Sequence, residues 1–225
     1  PVFSNAYSVL MSPASFISDP SRWLSAIDKY RGTHSAAPNF AYDLCYRKIP
    51  AEKVKALDLR SWKFSLCAAE PVKRNTVEQF QAVFSKAGLP SFTVRSGYGL
   101  AEATLAVSGG APDGEKDQTY LSVDTNALED HKVQIEAQKN DTNDFAENCR
   151  ISDSVEIVIV DPITFARVSG SEVGEIWVKG QNVALGYWNR PAETESTFQA
   201  KIASGEGPYL RTGDLGFLNK NSHFT

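Results

Sequence analysis

Residues 62–94 read WKFSLCAAEPVKRNTVEQFQAVFSKAGLPSFTV, which is one helical pattern between two apolar runs. Residues 62–68 are apolar enough for a buried strand, and Phe92–Val94 begin a second strand. Between the two runs, apolar side chains recur at helical spacing: Val77, Phe80, Val83, Phe84 and Ala87. Gly88 and Pro90 then end this helix. A strand, a helix and a strand in this order are typical of a parallel sheet with helices on its faces.

The same alternation extends towards the start of the chain. The residues DPS at 19–21 predict the start of a helix, with the aspartate as its cap, and Gly32 ends that helix. A short strand at 35–37 and a second helix around Phe40 follow. Residues 1–107 are therefore predicted to form an α/β subdomain in which helices flank a parallel sheet.

The composition is that of an ordinary globular protein. The chain has 225 residues, of which 42% are hydrophobic and 22% are charged, and this excludes a disordered chain, a coiled coil and a disulfide-framework mini-protein. A net charge of −4 argues against a nucleic-acid-binding protein, which usually carries a basic face. No apolar run approaches the ~20 residues of a membrane helix, and no secretory signal is recognisable. We therefore expect no membrane span and a cytoplasmic location.

The cysteines and histidines form no metal-binding pattern. The cysteine count is odd and no two cysteines have CxxC spacing, which indicates buried or incidental thiols: Cys45, Cys67 and Cys149. The histidines are isolated from one another: His34, His131 and His223. A histidine-based metal site is therefore not expected.

An acidic segment separates the first half from a β-rich second half. Residues 108–150 hold ten acidic and four basic side chains, a local charge of −6, and the rest of the chain is near +2. This polar stretch has little periodicity, so we expect an insertion or a long loop over 108–152. Beyond it, residues 155–160 and 173–178 have the character of strands. Residues 153–225 are therefore predicted to form a smaller antiparallel β subdomain.

Two stretches carry residues suited to ligand binding. SGYGLAE at 96–102 follows a predicted strand, and loops in this position bind ligands in parallel sheets. Its glycines let a ligand approach the backbone, Tyr98 offers a ring for a base, and Glu102 offers oxygen to Mg²⁺. RTGD at 211–214 places Asp214 where it could accept hydrogen bonds from a ribose diol. The alternative for each stretch is an ordinary turn.

A third stretch has no chemical role that can be read from its residues alone. GEIWVKG at 174–180 and GYWNRP at 186–191 predict a strand, a turn and aromatic packing. In chain order, YGLAE at 98–102, these two stretches at 174–191 and RTGD at 211–214 form a set of motifs. Together they resemble the adenylate-forming superfamily of acyl-CoA synthetases, luciferases and peptide-synthetase adenylation domains. Within the superfamily, the chain most resembles fatty acyl-AMP ligases. Two details carry this: Ala101 stands where most of the superfamily has threonine, and the residues APNFAYDL at 37–44 are similar to that subfamily. The resemblance covers essentially the whole chain.

The resemblance implies an enzyme that joins a carboxylate to ATP and forms an acyl-adenylate and pyrophosphate. It implies that Tyr98 stacks on adenine, that Glu102 is the catalytic carboxylate that binds Mg²⁺, and that Asp214 holds the ribose hydroxyls. The resemblance implies further residues that bind the AMP moiety of ATP: Ala69, Glu70, Pro71, Ser96, Gly97 and Gly99. Those implied to border the acyl group are Pro38, Asn39 and Phe40. No side-chain role follows for Ala101.

The acidic segment also acquires an implied role. Fatty acyl-AMP ligases carry an insertion after the tyrosine–glutamate motif that restrains a small carboxy-terminal domain, and their product passes to a carrier protein rather than to coenzyme A. Our hypothesis is that Asp124–Asn148 is this insertion, and the alternative is an ordinary variable loop. The resemblance also implies a phosphate loop upstream and a lysine-bearing domain downstream. The chain is therefore expected to be a central fragment of the large amino-terminal domain, inactive by itself.

The function expected of the parent protein is the activation of a fatty acid with ATP and Mg²⁺. The expected acceptor is an acyl carrier protein or a polyketide or peptide synthase. Two enzyme alternatives remain, a fatty acyl-CoA ligase and a peptide-synthetase adenylation domain. An alternative of another class is a catalytically inactive binding or scaffold module that retains the fold.

Overall fold

A computed structural model describes residues 5–109, 117–135, 141–148, 154–168, 170–219 and 222–224. Cys149, the side chain of His223 and the predicted boundary at 152–153 lie outside the described residues. Cys45 and Cys67 are buried free thiols, as the sequence indicates. No helix in the described ranges is long and apolar enough to cross a membrane.

The first half forms the predicted α/β unit. Three strands are parallel, and a fourth pairs antiparallel with the third, in the order β1 (His34–Ala37), β2 (Phe64–Cys67), β3 (Val94–Tyr98) and β4 (Ser108–Gly109). The helices are α1 (Pro13–Ser18), α2 (Ser21–Tyr30), α3 (Asn39–Lys48), α4 (Ala51–Lys55) and α5 (Arg74–Phe84). The sheet reaches Gly109, two residues beyond the predicted limit of this subdomain.

Local signals explain where these helices begin and end. The Asp19 carboxylate accepts hydrogen bonds from the amide and hydroxyl of Ser21, at 3.0 and 2.6 Å, so it satisfies the first amide of α2. The cap position itself falls one residue later than expected, at Pro20, whose φ of −65° and ψ of −17° are already helical. That helix ends at Tyr30, before the predicted Gly32, because Arg31 already has a left-handed conformation with φ of 52°. A 3₁₀ turn (Ser85–Ala87) extends α5, and Gly88 ends it with φ of 81°.

An aromatic core holds the helices of the first half to the sheet. Trp62 and Phe80 are fully buried, and Trp62 packs edge-on against both Trp23 and Phe80. The strand register then sets where each connection begins, since Ala37 lies opposite Cys67 and Cys67 lies opposite Ser96. The carboxyl ends of β1, β2 and β3 therefore meet at one edge of the sheet.

The second half forms the predicted antiparallel sheet. Its strand order is β10 (Ser222–Phe224), β9 (Leu210–Asn219), β8 (Gly174–Gly180) and β7 (Val155–Val160), and α7 (Pro191–Phe198) lies between β8 and β9 in sequence. Trp177, Tyr209 and Leu210 are fully buried in this half. The register between β8 and β9 shifts between Glu175 and Trp177, which places a bulge opposite residues 211–215.

The described part of the acidic segment is not an unstructured loop. Strands β5 (Tyr120–Asp124) and β6 (Thr142–Ala146) pair antiparallel over five residue pairs, and α6 (Thr125–Glu129) follows β5. The sequence of this hairpin lacks a clear alternation of apolar and polar residues, because few of its positions besides Val123 and Ala146 are buried. The expectation of a long loop is therefore wrong for these residues.

Candidate functional site

The predicted acyl-binding and adenine-binding segments contact each other at the edge of the parallel sheet. The Phe40 amide, at the start of α3, donates to Glu70 Oε1 at 2.6 Å. The Asn39 side-chain oxygen accepts from the Lys73 amide at 3.0 Å. Glu70 therefore satisfies an amide that the helix cannot satisfy itself, and a carboxylate is favoured at that end of a helix. Ala69 has φ of 71°, which turns the chain between β2 and this contact.

The glycines beside Tyr98 are required by the packing of the chain itself. A Cβ on Gly97 would lie 2.5 Å from Leu66 Cδ1. A Cβ on Gly99 would collide with the Leu105 carbonyl, which closes the turn after the 3₁₀ helix Ala101–Ala103. We expected these glycines to give a ligand access to the backbone, but at Gly99 the space is occupied by the protein.

Tyr98 and Asp214 lie together although 116 positions separate them. The Tyr98 hydroxyl donates to Asp214 Oδ2 at 2.7 Å. Burial raises the pKa of Tyr98 above its ordinary value, so the phenol stays protonated and remains a donor. Asp214 lies within β9, next to Gly213 with φ of 77°, rather than in a β-turn. The ring predicted to stack on a base and the carboxylate predicted to hold a ribose are thus neighbours.

An ion pair between the buried Glu175 and the partly exposed Arg211 supports the bulge that presents Asp214. Arg211 contacts the Glu175 carboxylate at 2.8 Å, and the Gly213 amide donates to the same carboxylate at 3.1 Å. Burial by itself would raise the pKa of the Glu175 carboxyl, but the hydrogen bonds from Arg211 and Gly213 hold it below its ordinary value. The residues GEIWVKG predict only a structural strand around Glu175. Its signal was a charge inside an apolar strand, GEIWV.

Glu102 is held by a second tyrosine, Tyr187, which is not among the predicted site residues. The Tyr187 hydroxyl donates to Glu102 Oε1 at 2.6 Å, and this bond raises the pKa of Tyr187. The Ala184 amide donates to the Glu102 backbone carbonyl at 2.8 Å. Tyr187 belongs to the GYWNRP stretch that carried the resemblance, so the motif pointed to this region without showing the contact.

Ser96 faces the acidic segment. Its amide donates to Gln118 Oε1 at 2.7 Å, and its hydroxyl donates to the Glu147 carbonyl at 2.6 Å. Only 2% of Ser96 is exposed. The structure therefore brings Tyr98 and Asp214 together, and Phe40 and Glu70 together, but turns the Ser96 side chain towards Glu147.

Glu102 by itself could supply the protein ligand that Mg²⁺ needs when it is bound to a nucleotide. Mg²⁺ at phosphates is usually held by one or two carboxylates, together with phosphate oxygens and water. Across the part of the chain that the structure describes, no group of three or more His, Cys, Asp or Glu residues is placed to hold a metal. A single carboxylate with one oxygen bonded to Tyr187 is compatible with a site that the nucleotide completes.

The family of the chain follows from comparison with known proteins. Residues 1–188 match the AMP-binding enzyme family. The chain belongs to this family. Over its whole length this AMP-binding enzyme chain is 43% identical to a medium-chain-fatty-acid–[acyl-carrier-protein] ligase, JamA, of Moorena producens. It is also 35% identical to a 4-hydroxyphenylalkanoate adenylyltransferase of Mycobacterium marinum, again over its whole length.

A solved structure shows the same fold. The fatty acyl-adenylate ligase of L. pneumophila, in complex with acyl adenylate and pyrophosphate, matches 96% of this AMP-binding enzyme chain with 40% identity and a TM-score of 0.90. The predicted resemblance to fatty acyl-AMP ligases and the predicted fold class are therefore confirmed. The chain spans 38% of the ligase from M. producens, 36% of the adenylyltransferase and 38% of the L. pneumophila chain.

Proposed function

We propose that the protein containing this chain activates a fatty acid with ATP, forming an acyl-adenylate and releasing pyrophosphate. The observation that supports this most directly is the Tyr98–Asp214 contact of 2.7 Å, which places an aromatic ring beside a carboxylate. An adenine ring stacked on Tyr98 would have its ribose within reach of Asp214. The names of the relatives, a fatty-acid ligase and a fatty acyl-adenylate ligase, support the same reaction.

The roles proposed for the remaining residues of the site come from the resemblance to fatty acyl-AMP ligases. Pro38, Asn39 and Phe40 begin α3 and border the acyl group. Residues 69–71 line the adenine and acyl pocket through their backbone, and Glu70 also fixes the start of α3. Ser96, Gly97 and Gly99 contribute the shape of the backbone around Tyr98, since their side-chain positions are occupied by protein contacts.

The proposed reaction needs positioned charges and no general base. The attacking carboxylate is already ionised, so no proton must be removed from it. The barrier comes from repulsion between two anions and from charge that builds on the phosphoryl oxygens. Glu102 would hold Mg²⁺, which supplies positive charge to the phosphates when it is bound. Asp214 and Tyr98 would keep the nucleoside fixed, so that the α-phosphate meets the carboxylate in one geometry.

The acceptor in this proposal is an acyl carrier protein, alone or as part of a polyketide or peptide synthase. The similarity to a fatty-acid ligase that is named for its carrier protein supports this choice. The segment Asp124–Asn148, which contains α6, β6 and the last residue of β5, would be the insertion that keeps coenzyme A from serving as the acceptor. A cytoplasmic location is part of the same proposal, because fatty acid, ATP and carrier protein must meet in one compartment.

The test uses the full-length protein and the Asp214→Ala variant. Loss of hydrogen bonds to a charged partner removes about 1.5–3 kcal/mol, so we expect ATP affinity to fall about 10- to 100-fold in calorimetric titration. Asp130→Ala, a change at an exposed position in the acidic segment, is the matched control. Unchanged ATP affinity in Asp214→Ala would contradict the assigned site.

Product analysis then separates the remaining functions. Mass spectrometry with fatty acid, ATP and either carrier protein or coenzyme A should show acylation of the carrier protein. Acyl-CoA as the main product would indicate an acyl-CoA ligase, and activation of amino acids would indicate a peptide-synthetase adenylation domain. ATP binding without pyrophosphate exchange for any acid would indicate a binding module. The 225-residue chain alone should show no exchange.

A further inference from the structure

We propose that Tyr187 is a positioning residue that orients the Glu102 carboxylate for metal binding. This inference rests on the proposed metal role of Glu102. The contact that carries it is the hydrogen bond from the Tyr187 hydroxyl to Glu102 Oε1, at 2.6 Å across 85 positions of the chain. With one oxygen fixed by a neutral donor, the other oxygen of the carboxylate has a defined direction.

Tyr187 is itself held by α7. Its ring packs edge-on against Phe198, with 5.1 Å between ring centroids, and Phe198 is 4% exposed. The Tyr187 amide donates to Thr194 Oγ1 at 2.9 Å. The ring and the backbone of Tyr187 are therefore both fixed before any ligand binds, and its hydroxyl is placed without further ordering.

The backbone around Glu102 is fixed by separate contacts to the same segment. Thr104 Oγ1 donates to the Asn182 carbonyl at 2.6 Å, and Asn182 Nδ2 donates to the carbonyls of Ala103 and Ala106 at 3.1 and 2.9 Å. The Ala184 amide adds the bond to the Glu102 carbonyl. These contacts fix the backbone of the turn without Tyr187. The hydrogen bond from Tyr187 therefore orients only the Glu102 carboxylate.

The chemistry of a phenol suits this task. A lysine or arginine in the same place would neutralise the carboxylate and compete with the metal. A phenol leaves the negative charge intact and restricts only the rotation of the side chain. Partners that orient metal ligands in this way change metal affinity about 10- to 100-fold when they are removed. Tyr187 is 39% exposed, so its packing against Phe198 covers only part of the side chain.

The test is Tyr187→Phe in the full-length protein, which keeps the packing on Phe198 and removes only the hydroxyl. The probe is Mn²⁺, titrated by electron paramagnetic resonance in the presence of a non-hydrolysable ATP analogue. We expect Mn²⁺ affinity to fall about 10-fold. The Mg²⁺ concentration for half-maximal pyrophosphate exchange should rise to the same extent, with kcat at saturating Mg²⁺ close to that of the wild type. Trp188→Phe, at the neighbouring position that is 90% exposed, is the control.

A second variant separates this inference from the proposed function. If Glu102→Gln loses Mn²⁺ binding while Tyr187→Phe binds as the wild type does, the role of Tyr187 is wrong and the metal role of Glu102 stands. If Glu102→Gln also binds Mn²⁺ normally, the metal role of Glu102 is wrong and the inference falls with it. A Tyr187→Phe variant with lower kcat and unchanged metal affinity would likewise overturn it.

Discussion

At the scale of single residues, the candidate site contains carboxylates whose directions are fixed by neighbouring side chains. Asp214 and Glu102 each accept a hydrogen bond from a tyrosine hydroxyl, at 2.7 and 2.6 Å. Glu175 is different, because only 4% of it is exposed and its partner is the Arg211 guanidinium. A buried charge without its partner is costly, so this pair fixes the bulge that presents Asp214.

Glu175→Gln should lower the free energy of unfolding by about 2 kcal/mol, because a charged hydrogen-bonded pair is lost at a buried position. The pKa of Glu175 is lower in the folded protein than its ordinary value. Its contribution is therefore present above the unfolded pKa of about 4.3 and is lost as the pH falls through the folded pKa. Urea unfolding should show the full difference from wild type at pH 7 and a shrinking difference below about pH 4.

The control for this measurement is Glu195→Gln on α7, where the carboxylate is exposed. It should change stability little at any pH. A Glu175→Gln variant as stable as the control at pH 7 would mean that the Glu175–Arg211 pair does not hold the bulge.

At the scale of elements, the acidic hairpin clamps the strand that leads to Tyr98. Gln118, just before β5, accepts from the Ser96 amide in β3 and donates to the Glu147 carbonyl at 3.0 Å. Arg74 at the start of α5 adds an ion pair to Asp144 in β6, at 3.6 Å. The hairpin therefore contacts both the central sheet and the helix that follows β2.

Gln118→Ala should leave the buried Ser96 amide without this acceptor, at a cost of about 1–3 kcal/mol. Urea unfolding should show the loss, and hydrogen exchange at the Ser96 amide should become faster. Gln199→Ala, at the exposed end of α7, is the matched control. Equal exchange at Ser96 in the wild type and in Gln118→Ala would refute the clamp.

At the scale of the whole molecule, the hairpin also joins the two halves of the chain. Phe145 in β6 packs edge-on against Phe217 in β9, with 5.4 Å between ring centroids, and Phe217 is 1% exposed. The apolar cluster around this contact draws on both the hairpin and the second half: Leu121, Val123, Leu128, Val133, Phe145, Val173 and Phe217. Asp214 and Phe217 both belong to β9. The strand that carries the predicted ribose contact is therefore also the strand against which the hairpin packs.

Removing 124–148 from the full-length protein takes out α6, β6 and the last residue of β5. The deletion should allow acyl-CoA formation if this segment excludes coenzyme A. The deletion also uncovers Phe217, so Phe145→Ala provides a second variant, which weakens the contact while the hairpin stays in place. Mass spectrometry of the products should show a clear gain of acyl-CoA in the first variant and a smaller gain in the second. Glu129→Ala on α6 is the control, and no gain in either variant would contradict the proposed role of the hairpin.

Local sequence patterns predicted most of the elements. The helix around Phe80, the strand at 62–68 and the antiparallel strands after residue 153 form as expected, because apolar periodicity and glycine or proline signals act within a few residues. The hairpin over 120–146 was missed, since few of its side chains are buried and its pattern is polar. Tyr187 and Glu175 were missed because their partners lie 85 and 36 positions away.

The sequence alone therefore predicted the order and type of most elements outside the acidic segment, and its resemblance to fatty acyl-AMP ligases proposed Tyr98, Glu102 and Asp214 for the site. Only the tertiary structure decided which of them meet. The Tyr98–Asp214 contact depends on a strand register and on a bulge between β8 and β9, and the Tyr187–Glu102 contact depends on where α7 packs. Such contacts arise from long-range packing, which a local pattern of residue types does not encode.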